Sequence, residues 1–252
     1  MLRLLLLLVF LFPVELLAQA EDVASQLAKI EQQENKSEIV KQISQLLKQQ
    51  NLTALQRIEA LLLQSQSYLS LNDFEQAMLA SKKAVNVAAQ AQLFEQQAKA
   101  NKLQGIVAYY QGHYKQAINA YQASLNYYQG LATYQPKKEL AKTAVIQANL
   151  LNNIALVQTA QGDSFAALSS YQQAEPLYQR FGDEIDKVDV RYNIATLYIS
   201  LRRYDLAISM LKQVIINRTA LEDEYGVAQA SADLGVAYKY SGEYQQAKEY
   251  NL

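Results

Sequence analysis

The sequence predicts an all-α fold, a right-handed superhelical solenoid of antiparallel helix pairs. Three observations predict it: a body poor in glycine and proline, a short turn that recurs at fixed spacing, and small residues that keep register with that turn. Of 252 residues, 50% are hydrophobic and 19% charged, with 8 Gly and 3 Pro, which favours long helices over a β-sandwich or a glycine-turn mononucleotide fold. Cysteine is absent and His113 is the single histidine. Disulfide scaffolds, thiolate zinc, iron–sulfur ligation, cysteine nucleophiles and multi-histidine metal sites are thereby excluded, and no cofactor or metal is expected. With 23 basic and 24 acidic residues the net charge is -1, so no nucleic-acid partner is expected either.

The first element is a targeting segment. Arg3 gives a small positive start, Leu4 to Val14 is almost unbroken apolar sequence, and Ala18-Gln19-Ala20 has the small-x-small form of a cleavage site. Residues 1–20 therefore read as a signal peptide. The run is interrupted by Pro13 and Glu15 and is shorter than the roughly 20 residues of a bilayer span, which tells against an uncleaved anchor. Export without cysteine suits a bacterial periplasm better than a eukaryotic secretory route.

Residues 21–57 form a degenerate helix pair, with helix-period apolar positions (Leu27, Ile30; Ile39, Ile43, Leu46, Leu47) around a break near Asn35. From 58 to 252 the chain repeats. Turns stand at Asn72-Asp73-Phe74, Gly112-His113-Tyr114, Gly162-Asp163-Ser164, Arg202-Arg203-Tyr204 and Gly242-Glu243-Tyr244, spaced by 40, 50, 40 and 40 residues. Five residues past the first member of each stands Ala77, Ala117, Ala167, Ala207 or Ala247; seven residues before it stands Ser65, Gly105, Ala155, Ala195 or Gly235. Small side chains at both places let two antiparallel helices approach closely. An aromatic at the third turn position (Phe74, Tyr114, Tyr204, Tyr244) is expected to pack where the second helix begins and so cap its own hairpin. Gly130, Gly182 and Gly226 fall between units. The helices are expected at 22–33, 37–50, 52–70, 73–89, 92–111, 113–129, 138–161, 163–179, 185–201, 203–219, 225–241 and from 243 on. The ten extra residues lie in a loop around Gly130 to Lys138, and Pro176 should kink or end its helix. The last helix reaches Leu252 with no polar helix after it to cover an apolar end, which predicts that the chain continues.

This pattern resembles the tetratricopeptide repeat, a pair of antiparallel helices with a small residue midway in the first, a Gly-Asp/Glu-Tyr-like turn and an alanine early in the second. Leu234 to Ala247 matches it almost letter for letter. The departures are the absence of Trp and a period of 40 rather than roughly 34, about one helical turn more per helix, as in the extended-repeat branch of the family.

Chemistry is sparse. Asp183-Glu184-Ile185-Asp186 and Glu222-Asp223-Glu224 sit where first helices begin, so capping and the helix dipole explain them, and the alternating ligands of a calcium loop are missing. His113 has no partner base or nucleophile in the pattern, and no nucleophile elbow or phosphate loop is present, so no catalytic residue is expected. What remains is a surface. The concave face of a helix-pair solenoid is lined by first helices, whose inward, non-core positions here are Lys99, Lys102, Tyr109 and Tyr110; Asn149, Asn152 and Asn153; Tyr192, Asn193 and Thr196; and Gln229, Asp233, Lys239 and Tyr240. The three asparagines at i, i+3 and i+4 place their amides along one stripe, donors and acceptors alike, a match for a peptide backbone or, alternatively, for bonds between neighbouring units.

The resemblance adds that Asn153 and Asn193 match the position that contacts bound peptide in the family and Lys102 a basic groove position. Ile106 and Asp189 replace an asparagine and a lysine of the two-carboxylate clamp. It implies a non-catalytic protein- or peptide-binding scaffold. It also implies a rival, since exported arrays resembling this one form the sensory half of membrane-bound histidine kinases or diguanylate cyclases. On that reading, membrane contact comes only through a segment after residue 252.

Overall fold

The computed structural model describes residues 23–131 and 136–250. Part of the expected long loop, the final two residues and residues 1–22, which include the expected signal peptide, lie outside the described residues. Among these residues the chain is all-α, as its repeats require, with twelve helices and no strand: α1 (23–31), α2 (Lys36–Leu46), α3 (Ala54–Ser70), α4 (Phe74–Gln90), α5 (Phe94–Tyr110), α6 (Tyr114–Leu131), α7 (Lys137–Ala160), α8 (Ser164–Phe181), α9 (Glu184–Ser200), α10 (Tyr204–Ala220), α11 (Glu224–Ser241) and α12 (Tyr244–Tyr250).

The chain divides into two compact units, one up to Ser124 and one from Leu125. In the first, α1 to α3 bury Val23, Leu27, Ile30, Ile39, Ile43, Leu46 and Ala60 together, while Ile58 and Leu61 of α3 meet Ala84 and Ala88 of α4 and Ala100 of α5. In the second, α9 to α12 share a core of Val188, Ala195, Ala207, Leu211, Val214, Leu234, Tyr238 and Ala247.

Small residues set these contacts. Ser65, Ala77, Ala117, Ala155, Ala167, Ala195 and Ala207 are all fully buried. Where the small residue is serine, its hydroxyl is satisfied across the interface, Ser65 Oγ donating to the Ala77 carbonyl at 2.8 Å. Where it is Gly105, a Cβ would stand 2.6 Å from the Tyr121 ring, so glycine is what that ring permits.

All five sequence-marked turns put their first residue in the left-handed region: Asn72, Gly112, Gly162, Arg202 and Gly242. Gln92 and Glu222 do the same between pairs. After each of the seven, the next amide donates back five residues (Asp73 to Tyr68, Leu93 to Ala88, His113 to Ala108, Asp163 to Gln158, Arg203 to Tyr198, Asp223 to Arg218, Glu243 to Tyr238) at 2.8–3.0 Å. This Schellman closure satisfies helix carbonyls that would otherwise lack donors. Turns within a pair and turns between pairs thus share one device, at a spacing of 20 residues wherever Gln92 or Glu222 intervenes.

Two expectations are corrected. Pro176 does not end its helix: α8 runs through it to Phe181, because Ala174 and Tyr178 are buried on either side, while the carbonyl that loses its donor belongs to exposed Gln172. The turn aromatics Phe74 and Tyr204 do not cap their own hairpins. Each stacks on the first helix of the next pair, on Tyr110 (5.9 Å, 11°) and Tyr240 (5.9 Å, 17°). Tyr114 stays within its pair, against Tyr109 at 6.1 Å.

Candidate functional site

A polar cavity of about 320 Å³ opens in the second unit, lined by Asn149 and Asn152 of α7, Tyr178 of α8, Asp186, Asp189, Val190, Tyr192 and Asn193 of α9, Arg218 of α10 and Gln229 of α11. The helix period puts these residues on one side of α7 and of α9, while the apolar positions between them (Leu150, Ile154; Val188, Ile194) enter the core.

The tyrosines and asparagines of the lining are each fixed by one hydrogen bond and keep capacity for another. Tyr178 Oη donates to Asn149 Oδ1 at 2.6 Å, leaving the Asn149 amide N–H groups. Asn193 Nδ2 donates to Asn152 Oδ1 at 3.0 Å across α9 and α7, leaving the Asn193 oxygen and the Asn152 N–H groups. Thr196 holds the Asn193 backbone rather than a ligand, its hydroxyl donating to that carbonyl at 2.9 Å. Tyr192 Oη donates to Asp233 at 2.5 Å. Burial, with Asp233 beside it, pushes the Tyr192 phenol well above its ordinary pKa; burial and the nearby carboxylates of Asp186 and Asp189 do the same for Tyr178. Both hydroxyls stay protonated donors.

Arg218 ties the wall together. It is 9% exposed, its Nη2 donates to Asp189 of α9 at 2.9 Å, its Nη1 donates to Asp223 before α11, and its guanidinium lies 5.3 Å over the Tyr192 ring. Room for it comes from Gly226, which is buried in the first turn of α11; a Cβ there would overlap the guanidinium and the Asp223 carboxylate. Gly226 is therefore part of a packed joint rather than a linker residue. The carboxylate clusters do cap, Asp183 in a capping box with Asp186 and Asp223 on the Gly226 amide, but Asp186 also faces the cavity and Asp223 also holds Arg218. The Gly226 amide and Arg218 together hold the Asp223 carboxyl below the usual range.

The other expected residues lie elsewhere. Asn153 is half-buried on α7 outside the cavity lining. Lys239 is exposed, and Tyr240 lines a separate surface pocket of about 460 Å³ with Arg202, Arg203 and Tyr204. In the first unit, Lys99 is ion-paired with Glu95 at 2.7 Å, burial lowers the pKa of Lys102, and Tyr109 and Tyr110 pack edge to face at 5.6 Å. Sequence reasoning did not find Tyr178 or Arg218, because it searched first helices only. The signal that could have found Arg218 is a glycine in the first turn of α11, where nothing but a close neighbour requires one. Among the described residues no group of three or more His, Asp or Glu side chains is placed to hold a metal ion, and no helix is long and apolar enough to cross a membrane.

Tetratricopeptide repeat family models match residues 146–219 and 58–90. No curated protein matches the chain in sequence. Among solved structures the chain is similar to BtubC from P. vanneervenii (19% identity, TM-score 0.68, covering 91% of this chain and 88% of that one). It is also similar to a Rap protein complexed with Competence and Sporulation Factor (18%, 0.65, 94% and 63%). A third is the signal transduction ATPase with a tetratricopeptide repeat sensor from Pyrococcus horikoshii (14%, 0.73, 92% of this chain and 34% of that one). At these identities the likeness is one of fold. The stretches on both sides of the unit boundary that match the models are tetratricopeptide repeats, and the fold of the chain is that of tetratricopeptide-like helix-pair solenoids.

Proposed function

We propose that the chain is a non-catalytic scaffold of the bacterial periplasm that holds an extended stretch of peptide or protein in the cavity of its second unit. The observation that carries this reading is the set of part-used amides on α7 and α9: Asn149 and Asn152 keep N–H donors and Asn193 keeps an acceptor, the two functions a peptide backbone presents in alternation. The solved Rap complex with Competence and Sporulation Factor supports capture by this architecture, and the signal-like residues 1–20 support the periplasmic location. The test is capture of a partner from periplasmic extract by the exported chain, followed by affinity measurements on variants. Asn152→Ala and Asn193→Ala are expected to weaken binding by about 1–3 kcal/mol each. Asn153→Ala, outside the lining, should change it little. Variants that melt early yet bind normally would make these amides glue between repeats and contradict the reading.

The neighbour that carries its repeats as a sensor favours a second reading. Here the chain is the periplasmic sensory region of a membrane-bound signalling protein, a histidine kinase or diguanylate cyclase, whose output domain follows residue 252. An apolar run of about 20 codons after codon 252 would support it; a further helix and a stop codon would support the free scaffold.

A further inference from the structure

The cavity's charge is unbalanced. Among the described residues Lys187 is paired with Glu184 at 2.6 Å and Arg191 with Glu175 at 3.6 Å, while Arg218 pairs with Asp189 and Asp223; Asp183 and Asp186 crowd Asp189, and Asp233 holds Tyr192. Arg218 is also committed. Its two amino groups hold Asp189 and Asp223, its face covers Tyr192, and its Nε is buried without a partner, so it cannot swing out to meet an anion. The hydroxyl hydrogens of Tyr178 and Tyr192 are both used on Asn149 and Asp233, so these phenols turn only lone pairs to an incoming group. Asn193 Oδ1 and the free oxygens of Asp186 and Asp189 add to the same acceptor-rich wall.

We propose that the cavity takes the guanidinium or ammonium of a basic side chain carried by an extended peptide. The proposal rests on reading the cavity as a peptide site and goes beyond it by naming the side chain that is read. The volume, about 320 Å³, suits one long side chain with its flanking backbone rather than a larger ligand. Burial and the surrounding carboxylates push the carboxyl groups of Asp186 and Asp189 above the usual range. A bound cation removes that repulsion and gains charge-assisted hydrogen bonds from both.

The probes are three pentapeptides, acetylated and amidated, with Arg, Gln or Glu at the centre of four alanines. Each is titrated into the isotope-labelled chain while the side-chain amide signals of Asn149, Asn152 and Asn193 are followed. The Arg peptide is expected to bind about tenfold more tightly than the Gln peptide and the Glu peptide weakest, with the advantage falling as salt rises. Asp186→Asn keeps the capping acceptor and does not touch Arg218, and it should abolish most of the Arg preference. Equal binding of Arg and Gln peptides, tightest binding of the Glu peptide, or an Arg preference that survives Asp186→Asn would overturn the charge assignment while leaving a peptide site. If no peptide moves any of these amides, the peptide reading falls and the basic-side-chain proposal with it.

Discussion

Arg218→Ala is expected to lower the unfolding free energy by about 2–3 kcal/mol, read by urea denaturation. The value lies below that for breaking a fully buried ion pair because Asp189 keeps half of its side chain in water and recovers hydration. The loss has three physical parts: two carboxylates lose their donors, the Tyr192 ring loses the guanidinium over its face, and a void opens beside Gly226. Arg218→Lys should be intermediate, since one ammonium cannot span Asp189 and Asp223 as the planar fork does. A negligible effect of both substitutions would mean that α9, α10 and α11 are held by their apolar core alone.

Ala117→Leu and Ala207→Leu are expected to cost about 1–3 kcal/mol each, by forcing apart two helices whose spacing a methyl side chain sets. Both alanines are fully buried, so the added carbons of leucine have to displace packed neighbours. Ala91→Leu, at the exposed end of α4, is the control and should change stability far less. Equal effects at all three sites would show that the repeat register has been assigned wrongly.

The register was readable in the sequence because helix contacts demand small side chains at fixed places and turns demand particular backbone conformations. The boundaries expected at 203–219 and 225–241 are found at Tyr204–Ala220 and Glu224–Ser241. What stayed hidden did so for physical reasons. Gln92 and Glu222 adopt the left-handed conformation that glycine signals elsewhere, at a cost on the order of 1 kcal/mol each that their surroundings absorb, so composition does not announce them. Phe74 and Tyr204 looked like caps of their own hairpins because sequence shows which residues are near in the chain, not that a ring can reach the next pair. Of the candidate site, helical spacing pointed to Asn149 and Asn152 of α7, which line the cavity, and also to Asn153, which lies outside the lining. Arg218 was not legible, because its role exists only where α9, α10 and the start of α11 converge.

Backbone hydrogen exchange of the chain, with and without a captured partner, tests the central claim most directly. The account predicts that binding slows exchange in α7 around Asn149 to Asn152 and in α9 from Asp186 to Asn193, and leaves α3 to α5 unchanged. Slowed exchange confined to α5 around Lys99 and Lys102, with α7 and α9 unaffected, would contradict it.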